Sequence, residues 1–267
     1  MDIIVLMKQV PDTESEVEIA EDGVSLDTED IKWVINPYDE YALEEALLIK
    51  ESRDDVTVTA ISVGPDRVSE SIRVAYAMGI DNAIHINDEY DDEVYGAADA
   101  FTTSKIIAKA LDDTPYDLIL AGVRAVDNDN YQVPAHISKM LKIPMISLVT
   151  KQEIQGEDII CEQSIDGGTA VVKAALPAII TAQKGMNEPR YPAVRAIMKA
   201  KKKKADEREL EELDLNIDEL GAQGAKTKVR AMAHPPKRNE GKVIKGSTAA
   251  DKADELVRLL KEEARVI

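Results

Sequence analysis

Apolar runs and amphipathic runs take turns along the first 120 residues. Residues 3–7 are continuously apolar, and 56–63, 83–86 and 117–121 are short, apolar or β-branched, and bounded by turn residues. Such runs read as buried strands. Between them, residues 38–51 set Ala42, Leu43, Ala46 and Leu47 on one helical face. Residues 66–78 read as a second helix that Asp66 can cap and Gly79 stops, and 97–111 as a third. Buried strands separated by helices imply right-handed crossovers and a parallel sheet. The expected fold class is therefore α/β, a doubly wound, mostly parallel, Rossmann-like sheet.

The pattern changes twice. Residues 16–19 and 23–26, turned at Glu21-Asp22-Gly23, look like a small hairpin after the first strand. Residues 151–154, 158–162, 169–174 and 179–181 are strand-like pieces separated by Gly156, Asp166-Gly167-Gly168 and Pro177, which would extend the sheet. Beyond about 185 the globular pattern loosens. Pro189 and Pro192 exclude regular helix, six residues from Lys199 to Lys204 include five lysines, and 205–220 carry eight acids. Residues 249–263 form a last amphipathic helix with Ala253, Leu256, Val257 and Leu260 on one side. It suits a partner surface or a helix folded back on its own domain equally well. The divisions drawn are 1–184, 185–204 and 205–267.

Composition narrows the function. A net charge of −18 opposes non-specific nucleic-acid binding. No apolar stretch approaches the roughly 20 residues that span a bilayer, and the chain starts on a strand pattern without a signal peptide, so a cytoplasmic protein is expected. One cysteine, Cys161, allows neither a disulfide framework nor a cysteine metal cluster. His85, His136 and His234 match no ligand spacing, and no phosphate-loop, dinucleotide-fingerprint, zinc-protease or serine-hydrolase motif occurs. No metal site and no catalytic nucleophile are expected. A binding protein or electron carrier fits this inventory better than a hydrolase.

Ligands of an open parallel sheet sit beyond the carboxyl ends of its strands. Of the loops there, the one after the fourth strand concentrates polar groups: Arg124, Asp127, Asn128, Asp129, Asn130, Tyr131 and Gln132, then Val133, Pro134 and Ala135 opening a helix. A helix N-terminus offers free N–H groups to an anion. Asp129 or Asn130 could merely cap that helix, but one cap needs one polar residue, not four in succession. Near the chain's basic run, Val194 and Ile197 with Lys199 and Lys201 combine apolar anchors and a basic rim, as protein-docking surfaces do.

Several stretches together resemble the β subunit of electron-transferring flavoproteins. They are Lys8-Gln9-Val10-Pro11-Asp12, Asn36-Pro37-Tyr38-Asp39 with Ala42-Leu43-Glu44-Glu45-Ala46, and Ser62-Val63-Gly64-Pro65. Further matches are Ala77-Met78-Gly79, residues 127–132, Ile165-Asp166-Gly167-Gly168, Leu176-Pro177-Ala178 and Asn187-Glu188-Pro189-Arg190-Tyr191 leading to Lys204. The resemblance implies a heterodimer with an α subunit that holds the electron-transferring FAD, and an adenine nucleotide in the β subunit. Carried onto this chain, the nucleotide contacts fall on Leu6, Asn36, Pro37, Tyr38, Asp39, Val63, Gly64 and Asp127 to Ala135. Residues 185–204 resemble a recognition loop for a flavin dehydrogenase of the acyl-CoA type, with Val194 as anchor, and the C-terminal segment an arm around the α subunit.

The family has two branches. One holds AMP in the β site and serves as a simple carrier; the other holds a second FAD that accepts hydride from NADH and bifurcates the electron pair. Lys8 to Thr13, Asn36 to Asp39 and Gln132-Val133 resemble the second branch, so FAD is expected in the β site, with AMP the alternative. Asn128 and Asn130 stand where that branch has Gly and Thr, Pro134 where it has Gly, and Arg124 where a Gln is common; Asn in place of Gly would crowd a pyrophosphate, whereas Arg124 would pair with one. A free-standing stress-type ATP binder of the same fold is the remaining alternative, but leaves residues 187–204 without a role.

Overall fold

A computed structural model describes residues 1–90, 93–94, 99–237 and 240–267. In chain order, β1 (Asp2–Leu6), β2 (Gln9–Pro11), β3 (Glu18–Ile19), β4 (Leu26–Asp27) and β5 (Trp33–Ile35) precede α1 (Pro37–Ser52). Next come β6 (Thr57–Val63), α2 (Val68–Met78), β7 (Asn82–Ile86), β8 (Glu89–Tyr90), β9 (Glu93–Val94), α3 (Ala100–Ala110) and β10 (Leu118–Gly122). The rest comprises α4 (Val133–Leu141), β11 (Met145–Gln155), β12 (Asp158–Ile165), β13 (Gly168–Ala175), β14 (Ala178–Ala182), α5 (Val194–Ala200), β15 (Asp206–Arg208), α6 (Gly221–Gly224) and α7 (Ala249–Glu262).

Among the described residues, nine strands form one sheet in the order β13-β12-β11-β14-β10-β1-β6-β7-β15. All neighbours pair in parallel except β11–β12 and β12–β13. The fold is thus α/β, with a large, mostly parallel sheet. Because side chains alternate along a strand, β1 and β10 supply both faces of the sheet. Ile3, Val5, Leu118 and Leu120 join the core under α1 and α2, with Leu43, Ala46, Ile72 and Ala75. Ile4, Leu6, Ile119 and Ala121 join the core under α3, with Ile106, Ile107, Ala110 and, from α4, Ile137. Strands buried on both faces must be apolar throughout, which is why these two read as unbroken runs.

After β1 the chain winds outward through β6 and β7, then returns to place β10 on the opposite side of β1. The order reverses there, and the carboxyl ends of β1 and β10 diverge around a crevice.

Several expectations shift in detail. The hairpin forms, but only as β3 and β4. Asp66 does not cap α2: that helix starts after Arg67 and has no side-chain cap, whereas Gly79 ends it at φ 134°. Asp99 caps α3 through a capping box with Thr102; Ala97, where the pattern set its start, lies outside the described residues. Residues 194–200, expected as loop, form α5. Residues 205–231, grouped by sequence with the arm, add β15 in parallel to β7 and bury Leu210, Leu213 and Leu220 beside α3. The compact units are Met1–Ala231 and Met232–Ile267, and the second contains α7. Among the described residues, no helix is long and apolar enough to cross a membrane.

Candidate functional site

The crevice at the sheet's reversal is fastened by the first turn of α1. Pro37 at the helix start has the backbone angle a helix needs, and Asn36 stands just before it. Asn36 does not cap α1. Its buried amide instead donates from Nδ2 to the Arg124 carbonyl at 2.8 Å and accepts at Oδ1 from the Val126 N–H at 3.1 Å. Asp39, 6% exposed, accepts the Lys8 N–H at 2.7 Å and the Gly122 N–H at 3.0 Å. One carboxyl thus ties the loop after β1 to the end of β10. Burial raises its pKa to about 7, against the pull of the Lys8 N–H, Asn36, the Gly122 N–H and the Lys8 charge. Gly122 is required for this approach: a Cβ there would overlap Asp39 Oδ1 and lie 2.7 Å from Tyr38.

The polar loop leaves β10 over this floor. Lys8 Nζ pairs with Asp127 at 2.6 Å, and Arg124 pairs with Asp129 at 2.7 Å. Arg124 also donates to the Tyr38 hydroxyl at 2.9 Å and lies 4.9 Å from the Tyr38 ring centre. Asp129 and Tyr131 adopt positive φ, 52° and 59°, so the loop doubles back before α4. Neither Asp129 nor Asn130 caps that helix. Asp129 is held by Arg124, Asn130 accepts from the Gln132 N–H at 3.2 Å, and α4 has no side-chain cap. Its first N–H groups are therefore available to an anion.

A cavity of about 550 Å³ opens on these groups. Of the sequence-predicted residues, Leu6, Asn36, Asp39, Val63, Gly64, Arg124, Asp127, Asn128, Asn130, Tyr131, Gln132, Val133 and Pro134 line it. Pro37, Tyr38, Asp129 and Ala135 do not. Tyr38 and Asp129 instead hold Arg124 in place.

Sequence reasoning missed two walls. On one side Gln9, Trp33 and Arg67 line the cavity, with the Arg67 guanidinium 3.9 Å from the Trp33 ring centre. Gln9 lay in a matched stretch, but nothing in the pattern revealed the two-stranded ribbon β2–β5 that brings Trp33 beside it. On the other side are Asp99 and Thr227, joined because Asp99 accepts the Lys226 and Thr227 N–H groups at 2.6 and 3.0 Å. A pairing across 128 positions leaves no local signal.

The predicted docking residues lie elsewhere on the same unit. Val194, the first residue of α5, is 75% exposed, and Tyr191 and Met198, which sequence reasoning did not select, are 98% and 66% exposed. Ile197, Lys199 and Lys201 are also exposed. The basic run is not uniformly free, since Lys203 donates to the Ile80 carbonyl at 2.9 Å and lies over the Tyr76 ring.

The description "electron transfer flavoprotein domain" belongs to the family model that matches residues 24–213. The electron transfer flavoprotein subunit β of Bacillus subtilis is 43% identical, over the whole of both chains. That of Thermoanaerobacterium thermosaccharolyticum is 37% identical over 92% of this chain and 93% of its own, and that of Clostridium acetobutylicum 35% over 98% and 99%. With the fold, the crevice and the polar loop, these similarities lead to one assignment: the chain belongs to the electron transfer flavoprotein β-subunit family.

Proposed function

We propose that the chain pairs with an α subunit in an electron-transferring heterodimer, that its cavity holds FAD, and that residues 187–204 dock a flavin dehydrogenase of the acyl-CoA type. The observation that carries the FAD reading is the reach of the cavity. It does not end at the polar loop but continues to Gln9, Trp33 and Arg67, room that an adenine mononucleotide alone would leave unfilled. Gln9 Nε2 donates to the Arg67 carbonyl and to Ser71 Oγ, both at 3.0 Å, which leaves its buried Oε1 as an acceptor without a partner among the described residues.

In this reading the α4 N-terminus and Arg124 receive the phosphates, Asn130 to Pro134 border the adenosine, and Gln9 and Trp33 border the second ring system. A flavin bound there would supply two-electron acceptance from NADH, the first requirement of bifurcation. The protein's own share is to orient the dinucleotide and keep its phosphates neutralised.

AMP is the second reading, and one observation favours it. Lys8 and Arg124, the two cations beside the polar loop, are already paired with Asp127 and Asp129, so a phosphate held by either would have to displace a carboxylate. Acid release of cofactors from the purified heterodimer separates the two. Two FAD per heterodimer, with flavin bleaching on NADH addition, supports FAD; one FAD and one AMP supports the simple carrier.

A further inference from the structure

Between Asn187 and Lys204 the chain forms a strap fastened at both ends. At its far end Ala200 is buried in the core with α2, and Lys203 is held by Ile80 and Tyr76. Its near end rests on the middle of α1, where two carboxylates are buried although a helix facing a core is normally apolar there. Glu44 is 4% and Glu45 8% exposed.

Arg190 grips Glu44 with a two-bond fork, Nε to Oε2 and Nη2 to Oε1, each 2.8 Å, and its backbone N–H adds a third bond at 3.1 Å. Its remaining nitrogen reaches Glu51 at 2.5 Å. Asn187 Nδ2 donates to Glu45 at 2.9 Å and to the Tyr41 carbonyl at 3.0 Å, while Gln152 donates to the other Glu45 oxygen at 2.8 Å. A guanidinium on a carboxylate in this planar geometry fixes orientation as well as position. The apolar residues Tyr191 and Val194 lie one and four positions beyond it, fully or largely exposed.

We propose that Glu44 and Arg190 are a positioning pair for the docking segment: the buried Glu44 carboxylate aims Arg190, and through it Tyr191 and Val194, at the partner. The proposal rests on the docking reading of residues 187–204 for its functional consequence. The ordering of the segment by the pair does not depend on that reading. A buried carboxylate is tolerated in α1 because Arg190 and the Arg190 N–H satisfy it. Removing the charge, while keeping the shape, should free the strap without disturbing the nucleotide cavity, whose polar clamps, Asn36 and Asp39, sit just before α1 and in its first turn.

The test uses the full heterodimer carrying Glu44→Gln, Arg190→Lys or Val194→Asp. Amide hydrogen exchange is measured over residues 187–200 and over the loop 124–135, together with flavin content and the KM and kcat of an acyl-CoA dehydrogenase, reduced by its acyl-CoA, with the heterodimer as acceptor. Glu44→Gln and Arg190→Lys should each raise exchange in 187–200 by about ten- to a hundredfold, the loss of a charged hydrogen bond, with 124–135 and flavin content unchanged. KM should rise about tenfold or more at constant kcat. Unchanged exchange in 187–200, or an equal rise in both segments, overturns the positioning role. Val194→Asp should raise KM without altering exchange. If it leaves KM unchanged the docking reading fails, and the positioning pair is then judged on exchange alone.

Discussion

The first turn of α1 and the turns that follow it both spend buried polar side chains on distant segments, but on different chemical groups. Asn36 and Asp39 take up backbone N–H and C=O groups of the loops after β1 and β10. Glu44 and Glu45 take up mainly side chains, the guanidinium of Arg190 and the amides of Asn187 and Gln152. A backbone partner is present whatever the loop sequence is, so substitutions at Asn128, Asn130 and Pro134 leave these clamps of the crevice in place. A side-chain partner must be kept on both sides. The strap of residues 187–204 can therefore be loosened by one substitution, and the crevice is harder to change.

The contrast breaks first at Asp39. Asp39→Ala leaves the Lys8 and Gly122 N–H groups buried and unpaired, at about 1–3 kcal/mol for each donor. Urea unfolding should show the largest loss of the set, with nucleotide lost on gel filtration. A loss no greater than that of Glu44→Gln would erase the difference between the two regions. Gly122→Ala comes next: its Cβ would overlap Asp39 Oδ1, and overpacking costs about 1–3 kcal/mol. Nucleotide content should fall with the unfolding midpoint, whereas hydrogen exchange in 187–200 should not change.

A pH series sharpens the same point. Burial lifts the Asp39 carboxyl from an ordinary 3.8 to about 7, so the folded state holds this proton more tightly than the unfolded one. The associated stabilisation is complete below the ordinary value and is lost as pH rises through about 7. Between about pH 5 and pH 8, the melting temperature of the wild type should fall relative to that of Asp39→Asn. Parallel curves would show that the carboxyl is ionised throughout. The smallest effect is expected at Arg124. Its pair with Asp129 is partly exposed, so Arg124→Gln should cost at most about 1 kcal/mol. Its consequence is weaker retention of a diphosphate relative to a monophosphate, read by competition between ADP and AMP.

Much of this was legible in the residues. The parallel sheet could be read because β1 and β10 are covered on both faces and must be apolar, and because β6 and β7 are short, mainly apolar or β-branched runs between helices. The loop from Arg124 to Pro134 could be read because a helix start needs one polar cap, whereas this strand end carries a run of polar side chains. What stayed hidden depends on long-range pairing. β15 is three charged residues, Asp206 to Arg208, whose only qualification as a strand is the open edge of β7. Trp33 reaches the cavity only through the β2–β5 ribbon, and Thr227 only through Asp99. Asp66 looked like a cap because its residue type and position were right, yet α2 begins after Arg67 without one. Glu44 and Glu45 fall outside the apolar face that the helix pattern picks out. They are buried because Arg190, Asn187 and Gln152 arrive from elsewhere in the chain.

Whether one cavity, running from Pro134 to Trp33, holds a dinucleotide is tested most directly by cofactor release from the intact heterodimer, with FAD and AMP quantified together. Two FAD and no AMP per heterodimer is the predicted result; one FAD with one AMP would contradict it.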